Sequence, residues 1–570
     1  MLDIEPHNDC TPSAAHGKAL SVLLVYPNTR EVALANLGFQ RVHALLNQID
    51  GVVADRYALP NTWRPGSKPL CERELLSHET GRRPRDFDVI AFSISFEPDY
   101  LNAASLLVYF GLPLRRQDRG PEHPLVAAGG SAVFINPEPL ADCVDLFFIG
   151  EGEGMAERFF ATYRDPRPEE RAAALKRAAR VPGIYVPGLY QPLYEADRLT
   201  GYLADPDVPA RVVRHYTEEP GELITHSTLH GEVSTFKDMA LLEVTRGCIW
   251  ACRFCTAGFI YRPPRLPDLG ATLDSLDHSL NGGDRPGTVG LVGPSVTDHP
   301  DLTGMAKKIV DRGQTLSFSS LRMETLTGEL VDLILKSGQK TLTVAVDAPS
   351  ERMRDVVNKA ATDETIIEKC RFLTAKGILH LKIYSIIGLP GETDEDIDQF
   401  IALVKNVMRV YVEECQKRGN IGKVTISLGP LIPKPGTPFQ FHPMEAVGVL
   451  KKKIMKVRRA LGRFKHLKLS MGSPREAFLQ TYLSRGDRRL ADFFEVYLEK
   501  GEDAWAALGV VRPNPEQMVY RQYQREDVLP WDLIDHGYRN DFLWKDYQRG
   551  LAELHTPVCD TATCKICGVC

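Results

Sequence analysis

Three cysteines stand within eight positions of the stretch RGCIWACRFCT, residues 246–256, although the whole 570-residue chain has only 12. They are Cys248, Cys252 and Cys255. A structural zinc site is closed by four ligands, whereas a catalytic site keeps one position open for a reacting molecule. Three thiolates at this spacing therefore predict a metal centre with an open coordination position.

The spacing of these cysteines is compatible with three interpretations. A cubane iron–sulfur cluster has four irons, each normally held by one thiolate, so three cysteines leave the fourth iron free. A zinc ion would need a fourth ligand from elsewhere in the chain. Alternatively, the three thiols only pack together. We favour the iron–sulfur interpretation because it accounts for the missing fourth thiolate.

The motif Cys248-x3-Cys252-x-Phe254-Cys255 resembles the signature of the radical S-adenosylmethionine (SAM) enzymes, including the aromatic residue before the last cysteine. The resemblance implies a [4Fe–4S] cluster whose unique iron chelates the amino and carboxylate groups of SAM. An electron from the cluster then cleaves SAM to methionine and a 5′-deoxyadenosyl radical, which abstracts a substrate hydrogen atom. It also implies that Phe254 lies beside the adenine and that a protein of flavodoxin or ferredoxin type donates the electron.

Other segments are similar to family elements that contact SAM. SFSSLR places Ser320 and Arg322 at the end of the third barrel strand, where the family keeps groups for the SAM carboxylate, and TVAVDA offers Asp347 as a ribose contact. The second strand departs from the family, because VGLVGPSVTDHP lacks the Gly-Gly-Glu that holds the SAM amino group. Ser295 or Asp298 is expected in that role.

The stretch GLPGET resembles the glycine motif that lies near the adenosine of SAM, and it begins at Gly388. The same stretch has a second interpretation. Thr393 followed three residues later by Asp396 forms a good capping box, so the stretch could serve only to start a helix.

Two series of alternating strands and helices must position these residues. The first, residues 21–182, predicts a doubly wound α/β domain. Ligands of such sheets bind beyond the carboxyl ends of the strands, where the sequence places Ser93, Ser95, Gly129 and Gly130. The alternative is that the glycines only make tight turns.

The second series, residues 239–445, has six predicted strands separated by helices, which suits a partial (β/α)6 radical SAM barrel. The cysteine loop follows its first strand, at the barrel end where active sites are built. The remaining segments are a disordered N-terminus (1–20), a connecting region (183–238), a helical and mixed C-terminal region (446–555) and a cysteine-rich tail (556–570).

An α/β domain ahead of such a barrel resembles the B12-binding-domain subfamily of radical SAM enzymes, most closely in the stretch GGSAVFINPEPLADCVDLFFIGEGE. The resemblance implies cobalamin between the two domains, commonly as a methyl carrier, with Ser93, Ser95, Gly129 and Gly130 facing it. The loop after the first strand, YPNTREVALANLG, lacks the histidine of the Asp-x-His-x-x-Gly motif that binds cobalt. Either cobalamin binds without a protein ligand to cobalt, or the domain serves only as a scaffold.

The tail ends in CDTATCKICGVC and supplies Cys559, Cys564, Cys567 and Cys570. Four thiolates can close a zinc site or hold an auxiliary iron–sulfur cluster. The C-x2-C-x2-C run is typical of ferredoxins and favours iron–sulfur, with zinc as the rival. In either case the metal has a structural role or, as a cluster close to the first, relays electrons.

A basic segment precedes the tail. Residues 446–475 contain ten Lys or Arg and no Asp or Glu. A basic amphipathic helix can follow a phosphate backbone, which indicates RNA as a substrate. The alternative is a solvated outer face, and we weight it more heavily because Phe464 is the only aromatic residue among these charges.

Composition narrows the remaining function classes. The net charge of −5 gives no global argument for nucleic acid, and no apolar run approaches the roughly 18 residues of a membrane span. The N-terminus lacks a secretory signal pattern, so we expect a cytoplasmic protein. The best hypothesis is a radical SAM enzyme that modifies, by methylation or other radical chemistry, a macromolecule or metabolite. The rivals are methylthiotransferase-like chemistry on RNA or protein, and a non-catalytic iron–sulfur or RNA-binding adaptor.

Overall fold

The computed structural model describes residues 19–67, 70–163, 171–228, 234–236, 238–280, 285–319, 321–539 and 541–570. Residues 1–18, which make up most of the segment predicted to be disordered, lie outside the described residues, and so does Ser320. No helix within the described ranges is both long enough and apolar enough to cross a membrane.

The N-terminal sheet has the strand order β2-β1-β3-β4-β5-β6. Neighbouring strands are parallel except for the last pair, β5 and β6. Strand β1 is buried over its first eight residues, as expected for a parallel strand covered on both faces. The elements are β1 (Leu20–Thr29), α1 (Arg30–Leu34), α2 (Leu37–Gln48), β2 (Val52–Leu59), β3 (Val89–Ser93), α3 (Asp99–Tyr109), β4 (Leu125–Gly129), α4 (Ser131–Ile135), β5 (Leu146–Phe148), α5 (Met155–Thr162), α6 (Arg171–Ala178) and β6 (Ile184–Tyr185).

The connecting region contains short strands. An antiparallel hairpin joins β7 (Tyr190–Glu195) to β8 (Arg198–Ala204). The next strand, β9 (Val212–Val213), pairs in parallel with β17 (Ile534–Asp535), which comes from the C-terminal region. The connecting region is therefore anchored to the last part of the chain.

The second βα series forms two parallel sheets, β10-β11-β12 and β13-β14-β15-β16. A parallel bridge between Leu321 and Val344 joins them, so the strands follow one another as in an open barrel. The elements are β10 (Met239–Glu243), α7 (Leu269–Ser279), β11 (Thr288–Val292), α8 (Leu302–Asp311), β12 (Thr315–Phe318), α9 (Gly328–Lys336), β13 (Thr341–Asp347), α10 (Glu351–Val356), α11 (Asp363–Lys376), β14 (His380–Ile387), α12 (Asp394–Lys417), β15 (Lys423–Pro430), α13 (Val447–Leu461) and β16 (Leu467–Met471).

These sheets confirm the predicted α/β fold class, with a doubly wound domain followed by a partial barrel. Strand β16 was not predicted from the sequence. Its residues LKLSM alternate between exposed and half-buried positions, so the strand has no fully buried residue and its apolar pattern is short and weak.

The C-terminal region packs against the N-terminal domain. Asn136 donates from Nδ2 to Ser484 O over 3.0 Å and to Gly486 O over 2.9 Å. Arg488 forms a buried ion pair with Glu138 at 2.9 Å. The helices of this region are α14 (Pro474–Arg485), α15 (Leu490–Glu499), α16 (Ala504–Leu508), α17 (Pro515–Val519) and α18 (Phe542–Leu551).

Candidate active site

The cysteine loop leaves the carboxyl end of β10 and is closed by a pair of backbone hydrogen bonds. Arg246 N donates to Arg265 O over 3.0 Å, and Arg265 N donates to Arg246 O over 2.8 Å. Gly247 has a φ of 80°, and a Cβ at this position would lie 2.5 Å from Tyr261 O. Because only glycine adopts this conformation without strain, Gly247 sets the direction in which the loop leaves the strand.

The three thiols of the loop are shielded from water and lie near one another. Burial raises the pKa of Cys248 to about 11 and that of Cys252 to about 12, and it also raises the pKa of Cys255. The Cys255 thiol acts electrostatically on the other two. The thiols are therefore protonated near neutral pH, and a bound metal has to displace these protons.

The donor set fits an iron–sulfur cluster. The loop supplies only thiols, and thiolates are the usual ligands of such clusters. Among the described residues, no group of three or more His, Cys, Asp or Glu side chains is placed to hold a metal ion.

Arg322 lies beside the cysteine loop, where the sequence predicted it. Its Nη1 is 4.0 Å from Cys252 Sγ, and its guanidinium carbon lies 3.7 Å from the ring centre of Trp250. Its buried Nε has no hydrogen-bond partner among the described residues, although Glu324 Oε2 is 3.6 Å away. A buried guanidinium with an unsatisfied donor next to the cysteines is suited to bind a ligand carboxylate.

Ser295 and Asp298, predicted as alternatives, lie together and are joined by a hydrogen bond. Asp298 Oδ2 accepts hydrogen bonds from Trp250 Nε1 over 2.6 Å and from Ser295 Oγ. Trp250 thus connects this carboxylate with Arg322. The sequence analysis missed Trp250, although an indole between two of the cysteines was a visible signal.

Asp347 ends β13 in the left-handed region, with a φ of 66°. Lys359, a buried residue with 2% of its surface exposed, pairs with the Asp347 carboxylate and donates to Ala345 O over 2.6 Å. Both charged groups act electrostatically on Cys252, in opposite directions. The sequence placed Asp347 at the site but gave no signal for Lys359, which is twelve residues away along the chain.

Phe254 and Gly388 border one apolar cluster. Phe254 is half-buried and packs against the cluster that contains Leu389. Gly388 has a φ of 78°, and a Cβ there would meet the Leu450 side chain at 2.9 Å. Thr393 and Asp396 do form the capping box of α12, so helix initiation accounts for the end of this motif and leaves only its first residues for a ligand.

The predicted residues of the N-terminal domain lie along one edge of its sheet. Ser93 is paired in register with Gly129, and Ser95 Oγ accepts a hydrogen bond from Asn36 over 3.3 Å. A Cβ on Gly130 would lie 2.5 Å from Ile94 O. Gly130 is therefore required by a close approach of the backbone. This agrees with the alternative interpretation, in which the glycines only make tight turns.

This edge stays open at the point where the strand order reverses between β1 and β3. Ser95 is exposed, and Phe96 exposes 46% of its surface. Asn28 Nδ2, at the end of β1, donates to Asp99 Oδ1 over 2.8 Å, and burial raises the pKa of Asp99 to about 7. An exposed aromatic ring among small polar residues fits the flat, partly apolar face of a corrin ring.

An ion-pair network connects this domain to the cysteine loop. Glu151, at the end of β5, accepts a hydrogen bond from Arg265 Nη1 over 2.7 Å and pairs with Arg246 at 3.3 Å. Burial alone would raise the pKa of Glu151, but the two arginines hold it below its ordinary value. The motif GEGE thus binds both ends of the loop, a role that the sequence analysis did not assign to it.

The basic segment contains α13, which packs onto the barrel. Lys453 is buried and pairs with Glu392 and Glu445, each at 2.7 Å. Its positive charge therefore compensates these two carboxylates. The apolar residues Leu450, Ile454, Val457, Leu461 and Phe464 recur at spacings of four and three; the first four are buried, whereas Phe464, beyond the end of the helix, is 38% exposed. The helix therefore has a structural role, and no structural feature favours RNA over solvent at its outer face.

Comparisons with known proteins agree with this architecture. The family model for the Radical SAM superfamily matches residues 242–404, and the model described as "Radical SAM proteins, N-terminal" matches residues 38–187. The uncharacterized protein MJ0966 of Methanocaldococcus jannaschii is 29% identical over 453 residues, which cover 76% of this chain and 89% of that protein.

Two solved structures are similar to this chain, and the first of them shares its fold. The radical SAM methyltransferase TsrM from Kitasatospora setae, with tryptophan substrate and a SAM analogue bound, matches with a TM-score of 0.51 and 13% identity over 94% of this chain and 98% of TsrM. The cobalamin-dependent SAM radical enzyme OxsB, with aqua-cobalamin and SAM bound, matches with a TM-score of 0.44 and 13% identity over 88% of this chain and 70% of OxsB.

Proposed function

Because the chain belongs to the radical SAM superfamily, we propose that Cys248, Cys252 and Cys255 hold a [4Fe–4S] cluster and that SAM binds at its fourth iron. The observation that carries this proposal is that Arg322 lies 4.0 Å from the Cys252 thiol in a loop of three half-buried cysteines, with an Nε that makes no hydrogen bond among the described residues. When bound, the cluster supplies the electron that cleaves SAM and releases a 5′-deoxyadenosyl radical.

The residues around the loop have separate roles in holding SAM. Arg322 donates to the SAM carboxylate, since its guanidinium offers a fixed array of donors for such a group. Trp250 keeps Arg322 in place by stacking, and its bond to Asp298 orients that carboxylate as the acceptor for the SAM amino group. Ser295 holds the same carboxylate from the other side.

The adenosine of SAM lies over the opposite side of the loop. Phe254 packs against the adenine, and Asp347 accepts hydrogen bonds from the ribose hydroxyls. Lys359 holds the Asp347 side chain in place through their ion pair. Gly388 leaves room beside the adenosine.

The reaction we propose is a radical-based modification, with methylation as the specific form. The open edge of the N-terminal sheet, with Ser93, Ser95, Gly129 and Gly130 along it, supports cobalamin as the methyl carrier, and the fold shared with TsrM is consistent with this. The described loop after β1 offers no histidine to the cobalt. A low-potential protein of flavodoxin or ferredoxin type supplies the electron.

Anaerobic reconstitution with iron and sulfide, followed by dithionite and SAM, tests the proposal. The wild-type protein should release 5′-deoxyadenosine, measured by chromatography and mass spectrometry, and Cys252→Ala should reduce the product to background. Cys71→Ala is the matched control, because Cys71 is exposed and far along the chain from both cysteine groups. A cluster-loaded wild-type sample that releases no 5′-deoxyadenosine would contradict the proposal and favour the adaptor hypothesis.

Cobalamin requires its own measurement. Protein reconstituted with hydroxocobalamin and desalted should retain the cobalt and the visible absorption of the corrin, and Ser95→Trp should reduce retention by filling the open edge. Loss of all cobalt from the wild-type protein on desalting would leave the N-terminal domain as a scaffold.

A further inference from the structure

The cysteine-rich tail is docked on the loop that carries Cys248, Cys252 and Cys255. Cys559 N donates to Ile249 O over 2.8 Å. The Asn358 side chain bonds to both segments, since its Nδ2 donates to Ala251 O and to Thr556 O, each over 3.1 Å. The backbone of the tail is therefore held against the backbone of the loop.

Arg253 strengthens this attachment from inside the loop. It is 0% exposed, and its side chain extends to the segment before the tail, where Nη2 donates to Leu554 O over 2.6 Å. It also donates to Val356 O over 2.9 Å and pairs with Asp546 at 3.3 Å. A residue between two cysteines of the loop thus bonds with the chain that leads to the tail.

The four tail thiols lie together. Burial raises the pKa of Cys559 to about 11; Cys570, Cys567 and Cys564 act in the same direction, and Arg262 opposes them. Cys559 and Cys567 are buried, with 8% and 3% of their surfaces exposed. The four cysteines that were grouped by their spacing therefore lie close enough for the other three to act electrostatically on Cys559.

Donors without acceptors surround this cysteine group. The buried hydroxyl of Tyr538 has no hydrogen-bond partner among the described residues, and it interacts electrostatically with Cys567. Both ring nitrogens of the neighbouring His536 are also buried without partners in that part of the chain. A buried donor without an acceptor costs about 1–3 kcal/mol, so these groups indicate an acceptor that occupies the space beside Cys567.

Arg262 provides positive charge at the same place. It is 4% exposed, and its guanidinium lies 5.1 and 5.5 Å from the ring centres of Phe259 and Phe542, which belong to the same buried cluster as Cys567. A buried guanidinium requires a compensating negative charge. Deprotonated thiolates on a metal centre supply that charge, whereas four protonated thiols do not.

We propose that Cys559, Cys564, Cys567 and Cys570 hold a second iron–sulfur cluster, with Arg262 and Tyr538 as donors to its sulfur atoms. The C-x4-C-x2-C and C-x2-C spacings are those of ferredoxin clusters, which favours iron over zinc. The site does not depend on SAM cleavage.

Metal counts test the proposal without reference to enzymatic activity. Iron, sulfide and zinc are measured per chain in reconstituted wild-type protein, in Cys564→Ala/Cys567→Ala and in Cys252→Ala/Cys255→Ala, with Cys71→Ala as the control. Each double variant should lose one cluster, about four irons for the [4Fe–4S] form, and the combined variant should lose both. A tail variant that keeps the full iron count, or a wild-type protein with zinc in place of the second cluster, would overturn the proposal.

A second measurement keeps all four tail cysteines, in case the double variant fails to fold. In an anaerobic redox titration followed by electron paramagnetic resonance, Arg262→Gln should move the tail cluster to a more negative midpoint potential, because a positive charge that stabilises the added electron is lost. Arg262→Lys should restore most of the shift. An unchanged potential in Arg262→Gln at full iron content would exclude a direct contact of Arg262 with the cluster.

Discussion

The loop 248–255 and the tail 559–570 are two cysteine groups in contact with each other, but their surroundings differ. The loop supplies three thiols, and next to them stands Arg322, a guanidinium with an unsatisfied nitrogen. The tail supplies four thiols, and two hydrogen-bond donors, Arg262 and Tyr538, lie near Cys567. We infer that the loop is arranged for an organic ligand in addition to its cluster, whereas the tail is arranged for a cluster alone.

The contact between the two groups is also instructive. Arg253 lies inside the loop but directs its donors to the segment before the tail. The loop geometry thus depends on chain that is about 300 residues away in sequence. Four variants test how the two cysteine groups differ and how strongly they are connected. The first one removes the connection itself.

Arg253→Met should have the largest effect, since it removes the connection between the groups. It leaves the Asp546 carboxylate and several carbonyl oxygens buried without their donor, and breaking a buried ion pair in this way costs about 3–5 kcal/mol. Thermal unfolding of the reconstituted protein measures this loss, and iron counts should fall for both groups. A stability equal to that of wild type would show that the tail and loop are independent.

Arg322→Gln should weaken SAM binding by roughly 10- to 100-fold, the equivalent of a lost hydrogen bond to a charged group. Equilibrium dialysis with radiolabelled SAM on the cluster-loaded protein measures the Kd. The matched control is Arg312→Gln, since Arg312 pairs with Asp277 on the surface of the barrel. A wild-type Kd in Arg322→Gln would remove the main distinction that we draw between loop and tail.

Lys359→Met should destabilise the loop side alone, by about 1–3 kcal/mol, because the Asp347 carboxylate loses its partner while it remains half-buried. Chemical unfolding measures the change. The double variant Lys359→Met/Asp347→Asn should recover part of the loss, as expected when an uncompensated charge is removed. Additive losses in the double variant would argue against direct coupling of the two residues.

Arg549→Met should have the smallest effect, below about 1 kcal/mol. Arg549 donates to the same segment as Arg253, through Thr556, but this bond is exposed, and exposed charged contacts contribute little. The unfolding curve of this variant is compared with that of Arg253→Met. The comparison shows whether a contact to the tail must be buried in order to stabilise its attachment. Equal losses in the two variants would contradict our account of the attachment.

The outline of the fold and the residue types of the site could be predicted because they depend on local patterns. The continuous apolar runs of β1 and β3 predicted buried parallel strands, and the cysteine spacing predicted the loop. An apolar pattern predicts a strand less well where the strand is half-exposed, as in β16. A motif predicts a ligand contact less well where it has more than one role, as in GLPGET, which also begins α12.

The partners of those residues could not be predicted, since they come from distant parts of the chain. Lys359 carries no motif, yet it pairs with Asp347 because α10 returns the chain to the end of β13. Arg246 and Arg265 meet Glu151 only when the N-terminal sheet packs against the barrel.

The sequence by itself determined the chemistry of the two cysteine groups, three thiols in a βα loop and four in a tail, because spacing along the chain limits how ligands can surround a metal. Only the tertiary structure decided that the two groups lie in contact, with Arg322 next to the loop cysteines and Arg262 next to the tail cysteines. The physical reason is that buried charges must find partners wherever the packed chain provides them, and packing is not a property of any short stretch.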